Sequence, residues 1–440
     1  MTVRCQGRPI PWGTTAIARG SSLPRPVRFV HAADLHLGAP LKRLDVSDAG
    51  VRVQLVGATA AALDAIVDVC VERRVDFLAL AGDIYHDDTP SLADRARFQK
   101  AMRRLDDAGV PVFLVRGNHD AGDAVRLDLD LPGNVRVFSA DSVERVEVTA
   151  DGEVIAAVYG ISYRQRAERR NLVSLFERTG DEPVAVGIVH TSVAGVEDQA
   201  DYAPCSPDDL RAARMDYWAL GHIHRAEILL DGYPMATYAG SPQGLTPNET
   251  GSHGCRYVEI DAGTCSQEFV ACAAFEWARV EVDVASCAGL DDVRRTVADS
   301  LATQATTCPI VVRVALTGSS LAHRELARTS TEALTEVLRD DLASLAGVAW
   351  IDRVEDRTTR TVDAASLASE EGLVGDVVRS ADAAAADPAD AAVLVDAQIE
   401  ALLRSIPGVG DEDRAALDPT RIVALARDVA IDRLLPEVGE

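Results

Sequence analysis

The chain has 440 residues and a formal net charge of −25, with an isoelectric point near 4.7. This length allows two or three domains, each with its own hydrophobic core. The acidic charge argues against a polyanionic partner unless basic groups are gathered locally, and no run of eighteen or more apolar residues is present to span a membrane.

The N-terminal segment, residues 1–26, mixes Arg, Gly, Pro and Ser without a continuous apolar stretch. We therefore expect a disordered N-terminal extension and no secretory signal. The eight cysteines show no C-x-x-C motif and no pairing pattern, which is typical of buried thiols in a reducing compartment. The sequence thus predicts a cytoplasmic protein.

Two apolar stretches near the N-terminus each run into acidic or imidazole side chains. Val27–Val30 predicts a strand that leads to Asp34 and His36, which face the same way in an extended segment. Phe77–Ala81 predicts a buried strand that ends next to Asp83. Because an unpaired buried carboxylate costs several kcal/mol, Asp83 needs a cation or strong donors nearby.

Three later strands also end in polar residues. They are Val110–Val115, followed by Asn118, His119 and Asp120; Pro183–Val189, followed by His190; and Met215–Leu220, followed by His222 and His224. Seven of the nine histidines lie at or just after the end of an apolar strand, namely His31, His36, His86, His119, His190, His222 and His224. A single histidine there is usually structural, whereas seven placed alike indicate a shared site.

The chemistry of these residues points to metal ions. Asp, His and Asn without Cys suit Mn, Zn or Fe and differ from the thiolate ligands of structural zinc. Open α/β sheets bind their ligands at the strand ends. Seven candidate ligands are too many for one ion, and two ions bridged by a carboxylate form the arrangement that phosphate-ester hydrolysis uses. The sequence therefore predicts a two-metal centre.

The remaining elements divide into two groups. In the first, the predicted helices are Val51–Arg74 and Leu92–Asp107, the second with Ser91 as N-cap, and the strands are Val135–Phe138, Val143–Val148, Val154–Gly160 and Met235–Tyr238. In the second, strands Trp277–Val284 and Pro309–Leu316 alternate with helices Leu290–Thr303 and Leu321–Leu345, and helices Val393–Ile406 and Arg421–Leu435 follow. The change of pattern near Phe275 predicts a small α+β domain and then a helical region.

The motifs D-x-H, G-D, G-N-H-D, a single His after a strand, and G-H-x-H occur in this order over residues 27–245. In order and spacing they resemble the calcineurin-like metallophosphoesterases. Finer features are similar to the YhaO-type branch of the SbcD-like DNA repair exonucleases, among them Asp83-Ile-Tyr-His86, Tyr159-Gly-Ile-Ser-Tyr163 and Asp216-Tyr-Trp-Ala-Leu-Gly-His-Ile-His224.

The resemblance implies an α/β fold: a two-sheet sandwich flanked by helices, then a small α+β capping domain and C-terminal helices. We accordingly expect the metallophosphoesterase (nuclease) domain over residues 27–272. The capping domain would cover residues 273–362, and the helical C-terminal region residues 363–440.

Carried over by position, the resemblance implies two ligand sets that share one carboxylate. One set consists of Asp34, His36, Asp83 and His224, and the other of Asp83, Asn118, His190 and His222. Two divalent ions are implied, Mn2+ first, with Zn or Fe as alternatives. His119 falls where the family keeps a catalytic imidazole that protonates the leaving 3′ oxygen.

His86 occupies the position at which relatives acting on phosphoproteins carry the second Asp of G-D-x-x-D. The SbcD-like nucleases share this histidine, so it favours DNA as the substrate and is a candidate catalytic residue. The group that orients His119 stays open, with Asp120 and Asp87 as candidates.

A basic run offers a local answer to the acidic net charge. Tyr163 is available to stack on a base, and the guanidinium groups that follow it are available to bind phosphates. They belong to Arg164, Arg166, Arg169 and Arg170. A solvated helix start is an equally weighted alternative, because runs of charge usually face water.

These features predict a metal-dependent exonuclease or endonuclease subunit that hydrolyses phosphodiester bonds of DNA in repair, by two-metal activation of water. One alternative is a phosphatase or cyclic-nucleotide phosphodiesterase of the same superfamily. Another is a non-catalytic metal-binding adaptor for an ATPase. The resemblance also implies a coiled-coil ATPase partner of the SbcC/YhaN type, a separate chain because no P-loop motif is present, and a homodimer is a further expectation.

Overall fold

The computed structural model describes residues 10–16, 25–40, 55–86, 90–121, 131–194, 202–261, 263–303, 308–342, 347–361, 364–403 and 418–434. In these residues the strands are β1 (Ile10–Ala16), β2 (Val27–Ala32), β3 (Phe77–Leu80), β4 (Val112–Leu114), β5 (Val135–Val137), β6 (Glu144–Ala150), β7 (Glu153–Gly160), β8 (Ala185–His190), β9 (Tyr217–Gly221), β10 (Glu227–Leu230), β11 (Met235–Tyr238), β12 (Gly254–Asp261), β13 (Thr264–Ala271), β14 (Glu276–Asp283), β15 (Ile310–Thr317), β16 (Ser319–Ser320), β17 (Val348–Asp356) and β18 (Thr359–Arg360). The helices are α1 (Ala58–Glu72), α2 (Leu92–Asp107), α3 (Pro207–Ala212), α4 (Leu290–Thr303), α5 (His323–Leu326), α6 (Thr331–Leu342), α7 (Ala364–Ala368), α8 (Leu373–Ala386), α9 (Pro388–Leu403) and α10 (Pro419–Leu434).

The fold contains two large sheets, and the central strands of each sheet are parallel. The seven-stranded sheet has the order β1-β13-β12-β2-β3-β4-β5, and the six-stranded sheet has the order β10-β11-β9-β8-β7-β6. Strands β2 to β5 run parallel to one another, and so do β7, β8, β9 and β11. The carboxyl ends of the central strands therefore lie together at one edge of each sheet.

The two sheets pack face to face, with helices on their outer faces. Between the sheets, Phe29 stacks on Phe77 with ring centroids 4.7 Å apart and meets the edge of Tyr217 from the other sheet at 5.2 Å. On the outside, Ile66 of α1 and Phe98 of α2 are buried against the seven-stranded sheet. Burial of each such side chain contributes roughly 1.5–3 kcal/mol. The predicted two-sheet sandwich flanked by helices is confirmed.

Helices α2 and α6 each begin directly after a serine whose side chain caps them. Ser91 Oγ accepts a hydrogen bond from the Asp94 backbone N–H at 3.1 Å, and α2 has the bounds that the sequence predicts. The single helix predicted over Leu321–Leu345 is wrong. It divides into α5 and α6 because Ser330 Oγ accepts a hydrogen bond from the Ala333 N–H at 3.1 Å and starts a new helix.

The edge of the seven-stranded sheet contains three strands, β1, β12 and β13, that the sequence did not predict. β12 and β13 form an antiparallel hairpin that the sequence patterns did not predict, and β1 pairs with β13. Ile10–Ala16 is thus a strand within the segment expected to be disordered, because the edge of β13 offers it unpaired backbone groups. Among the described residues, six cysteines are free and buried.

The chain divides into two compact units. The first comprises Met1–Ala278, Gln304–Val312 and Leu345–Asp352, and the second Arg279–Thr303, Arg313–Ser344 and Arg353–Glu440. Within the second unit, Arg294 of α4 holds Asp341 of α6 through two hydrogen bonds of 2.7 Å. Among the described residues, no helix is both long and apolar enough to cross a bilayer.

Candidate metal centre

The predicted ligands lie where the central parallel strands end. Asp34 and His36 follow β2, Asp83 follows β3, and Asn118 follows β4 of the seven-stranded sheet. From the six-stranded sheet, His190 ends β8, and His222 and His224 follow β9. Sheet topology therefore brings these residues to one place from distant parts of the sequence.

The backbone at this place is strained. Asp34, His36, Asp83 and His222 all have positive φ, at 52°, 44°, 53° and 108°. This region is unfavourable for residues with a Cβ and is concentrated at functional sites. The surrounding hydrogen bonds maintain it: the Asp34 N–H donates to Gly82 O and the His36 N–H to Asp83 O, each at 3.0 Å.

Asp83 lies between the two predicted ligand sets. Its Oδ2 is 3.7 Å from His36 Nε2 of one set and 3.6 Å from His190 Nε2 of the other. Its Oδ1 accepts the His119 backbone N–H at 2.9 Å. Burial raises the pKa of Asp83, but the neighbouring imidazoles, His190 first, outweigh burial and lower this pKa to about 2. The carboxylate is therefore ionised and placed to serve both sets.

His190 presents one ring nitrogen to the cluster and anchors the other. Its Nδ1 is 2.9 Å from Ala81 O, so this nitrogen carries the proton and donates it. Its Nε2 faces the cluster, 3.0 Å from Asn118 Oδ1. A backbone carbonyl that fixes the tautomer in this way is typical of a metal-binding histidine.

His36 and His224 meet through their Nε2 atoms, which are 3.1 Å apart. Nδ1 of His36 is buried and has no hydrogen-bond partner in the part of the chain that is described. Nδ1 of His224 is 3.5 Å from Glu249 Oε2. Burial lowers the pKa of His224, but Glu249 and then Asp34 outweigh it and raise this pKa to about 9. A hydrogen bond between these two Nε2 atoms needs one proton, so one ring donates and the other accepts.

Asp34 completes this side of the cluster. Its two oxygens accept the His222 backbone N–H, each at 3.1 Å. Burial raises the pKa of Asp34 to about 6 despite the nearby imidazoles of His190 and His224. A buried carboxyl whose ionised form is costly gains most from a cation.

His119 is oriented by a backbone carbonyl. Its Nδ1 donates to His86 O at 2.6 Å, and the His86 and His119 rings stack with centroids 5.4 Å apart. Asp120, a predicted candidate for this role, is instead occupied by the N–H groups of Ile84 and Gly117, at 2.8 and 2.6 Å. Burial, reinforced by the charge of Asp83, raises the pKa of Asp120 to about 7. The other candidate, Asp87, lies outside the described residues.

The basic run is placed differently from the expectation. Tyr163 is buried and meets the His190 ring edge-on at 5.4 Å, so it cannot stack on a base. Arg164 lies 3.1 Å from Asp141, and Arg170 is held by the buried carboxylate of Glu168 at 2.9 and 2.6 Å. The side chains of Arg166 and Arg169 are exposed.

His31 is the one strand-end histidine of the seven that belongs to the core. Its Nδ1 is 3.1 Å from Tyr217 Oη and its Nε2 3.1 Å from Leu220 O. Burial lowers the pKa of His31 to about 3, so the ring is neutral.

Comparison with known proteins agrees with this arrangement. The calcineurin-like phosphoesterase family matches residues 27–226, and the middle domain of the metallophosphoesterase YhaO matches residues 277–359. The metallophosphoesterase YhaO of Bacillus subtilis is 30% identical over 341 residues, which are 77% of this chain and 84% of that protein. The chain belongs to the YhaO-type calcineurin-like metallophosphoesterases.

Two further relatives of this metallophosphoesterase are named, one for DNA double-strand break repair and one as a nuclease subunit. The DNA double-strand break repair protein Mre11 of Haloferax volcanii is 31% identical over 61% of this chain and 58% of its own length. The SbcD component of the nuclease SbcCD of Bacillus subtilis is 23% identical over 51% of this chain and 64% of its own length.

The ligand cluster of the metallophosphoesterase suits divalent cations. Asp34, His36 and His224 bring ligand atoms within 4.8 Å of one another, and so do Asp34, Asp83 and His190. The ionised carboxylate of Asp83 and the Nε2 atom of His190 that faces the cluster also suit a cation. Members of this family use divalent metals, and the residues present fit them.

Glu249 is the site residue that sequence reasoning missed. It lies in the loop between β11 and β12 and matches none of the motifs. The signal that could have found it is the general rule that ligand histidines need an acceptor for their second N–H, but the rule does not say where in the chain that acceptor lies.

Proposed function

We propose that the chain is a metal-dependent DNA phosphodiesterase, an exonuclease or endonuclease subunit that acts in DNA repair. The observation that carries the proposal is the pair His86 and His119, stacked and joined by a 2.6 Å hydrogen bond beside the ligand cluster. Imidazole nitrogens of His36, His86 and His119 lie within 4.8 Å of one another. A phosphate held at the cluster would therefore meet two imidazoles.

The two ligand sets named above would hold two divalent ions, Mn2+ in our proposal. When bound, these ions supply the Lewis acidity that activates water and offsets the charge of the phosphate. Asp83 holds one carboxylate oxygen between the sets, and its second oxygen fixes the backbone of His119 at 2.9 Å. The ligand cluster and His119 are thus positioned by the same residue.

His119 would act as the general acid. Because its Nδ1 proton is committed to His86 O, proton exchange with the substrate falls to Nε2. Protonated at both nitrogens, the ring would donate from Nε2 to the leaving 3′ oxygen and become neutral. His86 would hold the scissile phosphate or its neighbour by a charge-assisted hydrogen bond.

The acidic chain needs local cations to bind DNA. Arg166 and Arg169 are exposed and would contact backbone phosphates. Two relatives carry names that refer to DNA repair or to a nuclease complex. By analogy we propose cytoplasmic assembly with a coiled-coil ATPase of the SbcC/YhaN type, and a homodimer.

A substrate panel tests the proposal. The full chain is loaded with Mn2+ and given end-labelled single-stranded and duplex DNA, bis-nitrophenyl phosphate, a phosphomonoester and a cyclic nucleotide. We expect DNA hydrolysis to have the highest kcat/KM and to fall by about 10²- to 10⁴-fold in H119A, which excludes a contaminating nuclease. Preference for the monoester or the cyclic nucleotide would replace the proposal by the phosphatase or cyclic-nucleotide phosphodiesterase, and hydrolysis of none would indicate the adaptor.

A further inference from the structure

Glu249 is the acceptor that faces the second ring nitrogen of a ligand histidine. The two nitrogens of His224 point to different partners: Nε2 lies 3.1 Å from His36 Nε2, and Nδ1 lies 3.5 Å from Glu249 Oε2. The side of the ring that faces the ligand cluster is therefore opposite the side that faces the carboxylate.

The Glu249 carboxylate is fixed by its own loop. Oε2 accepts the Leu245 backbone N–H at 3.0 Å, and Oε1 accepts the Thr246 hydroxyl at 3.0 Å. The Glu249 N–H in turn donates to Thr246 O at 3.0 Å, which closes the turn. The carboxylate thus keeps its place without help from an ion, as a preorganised acceptor requires.

The loop is also tied to His224. The Ser241 N–H donates to His224 O at 2.9 Å. The His253 ring joins two parts of the loop, with Nδ1 2.9 Å from Ser241 O and Nε2 3.2 Å from Glu249 O. Gly240 has a φ of +78°, and a Cβ there would lie 2.8 Å from His224 O. The loop therefore follows the backbone of His224 closely and carries Glu249 with it.

We propose that Glu249 is a positioning residue for one of the two cation sites, the one that contains His224. The carboxylate accepts the Nδ1 proton of His224, fixes that tautomer and leaves the Nε2 lone pair for the ion. Carboxylates in this position typically contribute about 10- to 100-fold in metal affinity. The inference rests on the two ligand sets of the proposed function and deepens them, because only one set includes His224.

The test is Mn2+ binding, measured by calorimetry on the full chain without substrate. E249Q removes the negative charge but keeps the size of the side chain. We expect one of the two binding steps to weaken by about 10- to 100-fold and the other to stay within about twofold of the parent. E249D keeps the charge and should restore part of the affinity of the weakened step.

Glu276 provides the matched control. Its Oε1 accepts the Ser252 hydroxyl at 2.8 Å. E276Q therefore removes a carboxylate that contacts the same loop through Ser252 and not through His224. We expect both Mn2+ steps to be unchanged in E276Q. Should E249Q not fold, T246V removes the hydroxyl that fixes the carboxylate and should weaken the same single step by a smaller factor.

An equal shift of both steps in E249Q, or no shift in either, would overturn the inference. Equal weakening in E276Q would also overturn it, since the effect would then belong to the loop and not to the contact with His224. The proposed function can fail independently of this inference. If E249Q weakens only one Mn2+ step but the parent chain hydrolyses no DNA, the role of Glu249 is upheld and the nuclease function is rejected.

Discussion

Gly117 is where the smallest change should disturb the metal centre most. It has no side chain, and the cluster closes around that space. A Cβ built on Gly117 would lie 2.8 Å from both Cε1 and Nδ1 of His190 and closer still to Asp83 Oδ1. Ordinary van der Waals contact begins near 3.4 Å. In G117A the imidazole must therefore retreat by at least half an ångström, and the carboxylate by more.

The expected magnitude follows from this displacement. A misplacement of about 1 Å at a reacting centre costs on the order of 10²-fold in rate. Because Asp83 is placed to serve both ligand sets, we expect both Mn2+ steps to weaken in G117A and the kcat/KM for bis-nitrophenyl phosphate to fall by about 10²-fold. The overall fold should persist, since the clash is confined to the strand ends.

Gly133 supplies the control. A Cβ there meets nothing within 4 Å, so G133A should bind Mn2+ and hydrolyse the diester as the parent does. Calorimetry gives the two affinities, and steady-state kinetics with saturating Mn2+ gives the rate. If G117A matches the parent in both measurements, the close packing of Asp83 and His190 around Gly117 is not what positions the centre.

Three further predictions concern histidines. H119A should keep both Mn2+ ions but hydrolyse DNA about 10²- to 10⁴-fold more slowly, with a smaller loss on bis-nitrophenyl phosphate, whose leaving group needs no proton; equal losses on the two substrates would contradict proton donation. H86A should keep the metals and lose more activity on duplex ends than on the small diester, which has no neighbouring phosphate, so parallel losses would remove the support of His86 for a DNA substrate. For His31, the buried ring with its pKa of about 3 stays neutral while the unfolded chain takes up a proton below about pH 6.5, so stability falls as the pH falls. Between about pH 6 and 5 the free energy of unfolding in urea should fall more steeply in the parent than in H31Q, by up to about 1.4 kcal/mol per pH unit, and equal slopes would refute this.

Strand-end chemistry is the part of the site that the sequence could predict. The predicted ligands follow apolar runs, and parallel strands bring such ends together, so the sequence could place Asp34, Asp83 and His190 at one centre. The helix cap could be predicted equally well: Ser91 is the N-cap of α2, as expected. These features depend on neighbours in sequence or on a general rule of sheet topology.

Features that depend on long-range contacts were not predictable. His119 is oriented by the backbone carbonyl of His86, and any residue type at that position supplies a carbonyl. Tyr163 precedes a run of charged residues, which suggests an exposed position. The ring is nevertheless buried against His190, because the segment that follows β7 directs it inward. The role of Glu249 required the path of the loop around His224.

Metal stoichiometry in D83A shows whether Asp83 is shared by two ions. The Asp83 carboxylate lies between the two predicted ligand sets, with Oδ2 3.7 Å from His36 Nε2 and 3.6 Å from His190 Nε2. Calorimetric titration should find two Mn2+ per chain in the parent and neither in folded D83A, which should also lose all DNA hydrolysis. If D83A still binds two ions and hydrolyses DNA, Asp83 is not the shared ligand and the proposed two-metal centre is wrong.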